Sequence, residues 1–271
     1  MNFSQTQWEK TAVFLQTQTR PLERALFAYH FGEGKKTEVV DVLSAFQNED
    51  GGFGHGIEPD VQLDDSSVLG TTVALQIGRA LDLARTHPLI QGAMAYLHNT
   101  YSATHQSWPF VPETVTQAAH APWWQYDHDY TLYRHNPRPE VVGYLLAWGD
   151  RDLGERVLMA VLAAGSQQET IEMHDLLCYQ RLLETAVLPD DARRQLTPLV
   201  ERWVLQLVET NPDKWGDYGL RPLAVAPTPD HYLAARFAEA IEQELTYLVR
   251  SCQADGAWWP TWSWGDAYAD V

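Results

Sequence analysis

His55, Glu58 and Asp60 fall within one short stretch, GHGIEPD, and Asp64 and Asp65 follow at once in VQLDDSS. Side chains of these types at this spacing admit three kinds of chemistry. Two carboxyl groups can flank a scissile bond as general acid and base or nucleophile, as in carbohydrate enzymes. An imidazole close to carboxylates offers nitrogen and oxygen donors to a metal, and Tyr126-Asp127-His128-Asp129-Tyr130 offers more, but neither spacing is specific for one. Asp64 or Asp65, next to Ser66 and Ser67, also suits a helix N-cap that takes up orphan backbone N–H groups.

Aromatic residues are the second group. Trp123 and Trp124 follow His120-Ala121-Pro122, while Trp258, Trp259, Trp262 and Trp264 crowd one C-terminal segment and Trp215 stands between Lys214 and Gly216. Pro and Gly mark these segments as loops, so the rings are not helical core stripes. They either seal the ends of a helical array or line a cavity. Ring faces that line a cavity hold a cation or stack on the C–H faces of a sugar. His120, Trp123, Trp124, Asp127, Trp215, Trp259, Trp262 and Trp264 are the expected lining; Glu58, Asp60, His120, Asp127 and Asp129 are the groups a carbohydrate enzyme would use.

The elements that must position these groups read as helices. TQWEKTAVFLQTQ, PLERALFAYHF and KKTEVVDVLSAF each place apolar residues three and four apart, and Pro21 suits a first helical turn. Leu69, Val73, Ile77, Leu81 and Ala84 form one stripe in a segment with no charge between Ser66 and Gly78, which predicts a helix surrounded by protein. EVVGYLLAW and RVLMAVLAAG are nearly free of charge as well, whereas DDARRQLTPLVERWVLQLVE has an apolar face and a charged one. Alternation of buried with amphipathic helices is what two concentric rings require. The expectation is an all-α chain, an α/α toroid of roughly ten to twelve helices, as a single domain over residues 1–271.

Composition restricts the partners. The chain has 271 residues, 45% hydrophobic and 20% charged, with a formal charge of −17. That charge argues against nucleic acid and against an anionic membrane surface, both of which need a basic face. No run of apolar residues is long enough to span a bilayer. The two cysteines, Cys178 and Cys252, are too few and too far apart for a disulfide framework. The opening MNFSQTQWEK lacks the order of a secretion signal. A cytoplasmic protein with a small-molecule ligand, an isoprenoid or a sugar, and no metal or other cofactor is the expectation; the sequence leaves the oligomeric state open.

One device occurs twice. Val42–Phe53 (VLSAFQNEDGGF) and Leu248–Trp258 (LVRSCQADGAW) share an apolar pair, a Gln, a Gly and an aromatic in the same order, with weaker echoes at Gln106-Ser107-Trp108-Pro109 and Lys214-Trp215-Gly216. This pattern resembles the QW repeat of squalene–hopene cyclases and related terpenoid cyclases, which share a helical toroid with protein prenyltransferase β subunits. It also resembles bacterial proteins grouped by this type of repeat, with strings such as GGFGxxxEPD, HAPWW and WSWG, a grouping that assigns no reaction.

The resemblance implies that Gln47, Phe53, Gln253 and Trp258 are structural, the Gln capping a following helix and the aromatic packing on a neighbour. It further implies a proton-initiated cyclase of a neutral isoprenoid, with Gln62-Leu63-Asp64-Asp65 in place of DxDD, Asp64 as acid, and Asp65, His55, Glu58 and Asp60 around it. A helix N-terminus favours carboxylate, so such an acid would need burial and a partner such as His55 to hold its proton. The Asp-x-Cys of zinc prenyltransferases is missing before Cys178, and Asp190-Asp191 does not continue as DDxxD. A carbohydrate-active enzyme on the same scaffold (hydrolase, lyase or epimerase) and a non-catalytic binding or scaffold protein are the alternatives.

Overall fold

Helix-spaced apolar residues become helices throughout the structure, a computed structural model that describes residues 3–126 and 129–260. In chain order these are α1 (Gln5–Thr17), α2 (Pro21–Phe31), α3 (Lys36–Ser44), α4 (Val68–Ala80), α5 (Pro88–Asn99), α6 (Arg138–Trp148), α7 (Arg151–Ser166), α8 (Met173–Leu183), α9 (Asp190–Leu207), α10 (Pro222–Val225) and α11 (Ala238–Ser251). Short 3-10 turns and isolated bridges account for the remaining regular structure among the described residues. The all-α expectation is met. Local signals set several boundaries: Ser4 and Gln7 cap α1 reciprocally, Pro21 opens α2, and Asp190 and Asp191 fill the first turn of α9.

The chain forms two compact units, one from residues up to Leu43 with those from Leu207 onward, the other from Ser44–Gln206. In the first, α1 packs on α2 and α10 on α11. Trp8, Phe27 and Phe31 form a triangle of rings, with centroids 5.8 Å (Trp8–Phe27), 5.6 Å (Phe27–Phe31) and 5.5 Å (Trp8–Phe31) apart. Glu244 of α11 is buried, takes the Leu223 amide at 2.8 Å, and has Arg221 at 3.7 Å.

In the second unit α6 is the hub. Every residue from Arg138 to Leu146 is buried, because α7, α8 and α5 pack on it. This is the helix without a wet face that its lack of charge predicts. Two polar residues share its burial. Glu140 accepts from Gln76 at 2.9 Å, Tyr144 at 2.6 Å and Arg181 at 2.9 Å, so the buried carboxylate is paired and hydrogen-bonded.

Two neighbours depart from the sequence reading. α7 is amphipathic, with Leu153, Val157, Leu158, Val161 and Leu162 buried but Met159 66% exposed. Alanine and methionine on a wet face cost little, so absence of charge does not prove burial there. α4 stops at Ala80, capped by Leu81, so Ala84 lies beyond it and is exposed.

Candidate functional site

The loop between α3 and α4 belongs to the second unit and is built from its glycines outward. Gly51 has φ +86°, and a side chain there would run into the backbone of Gly92 in α5. That approach lets Gln47 Nε2 donate to Gly51 O at 2.8 Å and Leu89 O at 3.0 Å. Gln47 therefore latches the loop onto α5, rather than capping the helix that follows it. Phe53 is buried, and its amide and carbonyl bond the Thr71 hydroxyl at 3.1 Å and the Ser67 amide at 3.0 Å.

A polar cluster fastens the other side of the loop. The Asp50 carboxylate accepts from the Gly52 amide at 2.9 Å and the Ser66 hydroxyl at 2.6 Å. Asn48 Nδ2 donates to Asp64 O at 2.9 Å and Ser66 Oγ at 3.0 Å, which turns its Oδ1 toward His55 Nε2 at 2.8 Å. The other ring nitrogen of His55 faces Asp64 Oδ1 at 3.2 Å. Both ring nitrogens thus have a hydrogen-bond partner. His55 does stand beside Asp64.

Burial of Asp64 does not follow. Its side chain is 90% exposed and Asp65, also exposed, accepts from Thr114 Oγ1 at 2.8 Å. The cap of α4 is Ser67, which takes the Gly70 amide at 2.9 Å, so neither Asp serves as N-cap. The register explains this. Ser67 immediately precedes the first helical residue, where a short hydroxyl reaches the next turn and an aspartate two or three residues earlier does not.

The structure brings GHGIEPD and HAPWW together. Val61 pairs with His120 in an antiparallel bridge, with Ala121 N donating to Asp60 O and Gln62 N to Ala119 O, each at 2.8 Å. The Asp60 carboxylate accepts from the indole N–H of Trp123; burial pushes its pKa up and that hydrogen bond offsets part of the rise. Trp123 remains 51% exposed while its nitrogen is held. Glu58 lies on the same turn, its carboxylate 3.4 Å from the Asp60 amide. His120 donates through Nδ1 to Ala118 O at 2.8 Å, leaving Nε2 as acceptor in the neutral ring.

Beneath this face lies an apolar floor of Val61, Leu63, Leu69, Val111 and Val115, with Phe110, Trp124 and Tyr126 against it. Trp124 meets Phe110 edge-on at 5.2 Å, and its indole nitrogen is buried without a hydrogen-bond partner among the described residues.

The remaining expected lining residues lie elsewhere. Trp215 is fully buried in the first unit, donating to Glu209 O at 2.8 Å with Tyr247 packed edge-on, so it is a core residue and lines no cavity. Trp259, also in that unit, is 65% exposed. Asp127, Trp262 and Trp264 lie outside the described residues. Asp129 is exposed and bound by Thr131, which holds its carboxyl below the usual range.

Other polar groups were assigned no site role from sequence. Asn48, Asp50 and Ser66 look like ordinary loop residues until the fold closes them into one network. Glu140 and Arg138 read as the charged flank of an apolar run. Asp175, half-buried on α8 near Glu172, has its pKa pushed up to about 7, first by burial and then by that neighbour. Among the described residues no three His, Cys, Asp or Glu side chains converge as a metal ion would require, and no helix is long and apolar enough to cross a membrane. Compared with known proteins, the chain matches no family model, no curated protein and no solved structure.

Proposed function

We propose that this protein binds a neutral, hydroxyl-rich ligand of sugar type on the face formed by Trp123, Asp60 and Glu58, with Asp60 placed to act as the acid if the ligand is turned over. The Asp60–Trp123 hydrogen bond carries this reading. A half-exposed indole anchored through its nitrogen offers a fixed apolar face for sugar C–H groups, while neighbouring carboxylates accept hydroxyls. Burial also raises the pKa of that carboxyl, the direction a proton donor needs. We further infer that the scaffold is an α/α toroid, supported by the fully buried α6 flanked by amphipathic α7.

Saturation-transfer NMR against a panel of neutral oligosaccharides tests the binding. Signal is expected for at least one member, lost in Trp123→Ala and weakened roughly tenfold or more in Asp60→Asn, since losing a charge-assisted hydrogen bond removes about 1.5–3 kcal/mol. An absence of signal across the panel, or binding that survives Trp123→Ala, overturns the proposal.

A second reading, the proton-initiated cyclase, has one observation in its favour: the His55–Asp64 hydrogen bond. The exposure of Asp64 weighs against it, because water would compete with the alkene and quench the cation. Conversion of a neutral polyprene, abolished in Asp64→Asn with the fold intact, would reverse the order of the two readings.

A further inference from the structure

A second cleft in the Ser44–Gln206 unit, separate from Asp60 and Trp123, encloses about 500 Å³. Its walls include His105, Thr131, Arg134 and Arg138 on one side and the small residues Ala160 and Ala164 of α7 on the other. His105 and Tyr130 stack in its wall, ring centroids 4.0 Å apart and planes 17° from parallel.

Arg138 is the unusual group. It opens α6 and is only 3% exposed, yet among the described residues its guanidinium meets carbonyl oxygens alone: Arg134 O at 3.0 Å, Ala160 O at 3.3 Å and Gln106 O at 3.4 Å. Two of these contacts are long, and two of the five N–H donors have no partner among the described residues. Among the described residues no carboxylate lies within ion-pair distance of it, in contrast to Arg181, which has Glu140 at 2.9 Å. Carbonyl dipoles solvate a buried cation without neutralising it, and a buried charge is ordinarily paired. Burial accordingly holds its pKa below the usual arginine value.

Arg134, exposed at the mouth of the same cleft, adds a second positive charge. One carboxylate, Asp129, also borders the cleft; Thr131 donates to it through both its amide and its hydroxyl, and Arg134 attracts it, so the two guanidinium groups outnumber the described carboxylates by one. In a chain of formal charge −17, a paired set of guanidinium groups at a walled cleft is a local reversal of sign.

We propose that this cleft is a binding site for a small oxyanion-bearing molecule, whose carboxylate or phosphate group pairs with Arg138 and Arg134. The planar fork of Arg138 favours an anion that accepts two parallel hydrogen bonds. Thr131 and the stacked His105 and Tyr130 face the rest of the ligand. The site is independent of the sugar reading, because none of its residues belongs to the Trp123 face.

The test is thermal unfolding of the full chain with increasing inorganic phosphate, and separately glucuronate as a carboxylate, each against sodium chloride at equal ionic strength. A saturable rise in Tm of several degrees with at least one of them is expected, which chloride does not reproduce. Arg134→Gln, a surface change, is expected to leave the unliganded Tm in place and weaken apparent affinity roughly three- to tenfold. Arg138→Met is expected to abolish the rise while leaving unliganded stability equal or greater, since an apolar side chain of similar length replaces an uncompensated buried charge. A rise no larger than that given by chloride, or unchanged affinity in Arg134→Gln, overturns the site. If Arg138→Met fails to fold, the Arg134→Gln titration decides alone.

Discussion

The turns at Asn48–Phe53 and Gln253–Trp258 have the same backbone but different importance. In each, the first residue's amide donates to the carbonyl four residues on at 2.9 Å, and the glycine amide returns to the first residue's carbonyl at 3.0 or 3.1 Å. Each has an aspartate that accepts from the amide two residues later, Asp50 from Gly52 at 2.9 Å and Asp255 from Ala257 at 3.0 Å. Each glycine is left-handed, with φ +86° at Gly51 and +94° at Gly256. The structural repeat is therefore Asp-Gly-x-aromatic, and Gln253 takes the place of Asn48 rather than that of Gln47.

What the two turns are attached to differs. Asp50 also holds Ser66, Phe53 is 1% exposed, and Gln47 ties the loop to α5. Trp258 is 40% exposed, stacks on Phe3 and donates to Leu248 O, while among the described residues Gln253 bonds only the nearby Ser251 carbonyl through Nε2. A local motif stores little energy by itself. Its weight comes from the groups it recruits.

Exchanging the glycines gives the largest contrast. Gly51→Ala is expected to cost about 2–6 kcal/mol, combining roughly 1–3 for the strained backbone with about 1–3 for forcing a carbon against α5. The upper end is comparable with the stability of a typical domain. Gly256→Ala shares the backbone strain and meets the backbone of Lys10 and Thr11 in α1, but its turn carries a Trp258 that is 40% exposed and can shift outward, so about 1–3 kcal/mol is expected. Urea unfolding at constant m-value measures both; equal losses would show that the turns are energetically alike.

The aromatics come next. Phe53→Ala is expected to cost about 3–5 kcal/mol, and Trp258→Ala about 1–2, because much of that ring already lies in water. A small effect at Phe53 would remove it from the structural core of the repeat. The aspartates separate least: about 1–2 kcal/mol for Asp50→Ala, which strands the buried Ser66 hydroxyl, against about 0.5 for Asp255→Ala. If the double change Asp50→Ala with Ser66→Ala costs no more than Asp50→Ala alone, the coupling between the two side chains is confirmed.

The candidate site was only partly legible for a related reason. His55, Glu58, Asp60 and the Trp123-Trp124 pair stood out by residue type, and GHGIEPD and HAPWW do lie side by side. The partner of Asp60, however, is a tryptophan more than sixty residues on. Nothing local in either segment specifies that pairing. Trp215 stood out equally and is core, because ring content does not reveal which side of a ring is covered.

The sequence by itself determined the all-helical class, the starts of α2 and α9 and the burial of α6, since these depend on periodicity, capping and charge within a dozen residues. Only tertiary structure decided that α7 has a wet face, that Ser67 and not an aspartate caps α4, and that Asp64 is exposed while Asp60 is shielded. It also decided that Arg138 is buried with no carboxylate within ion-pair distance among the described residues. Exposure, hydrogen-bond partners and pKa all depend on which distant segments exclude water from a side chain, and that information is distributed over the whole chain.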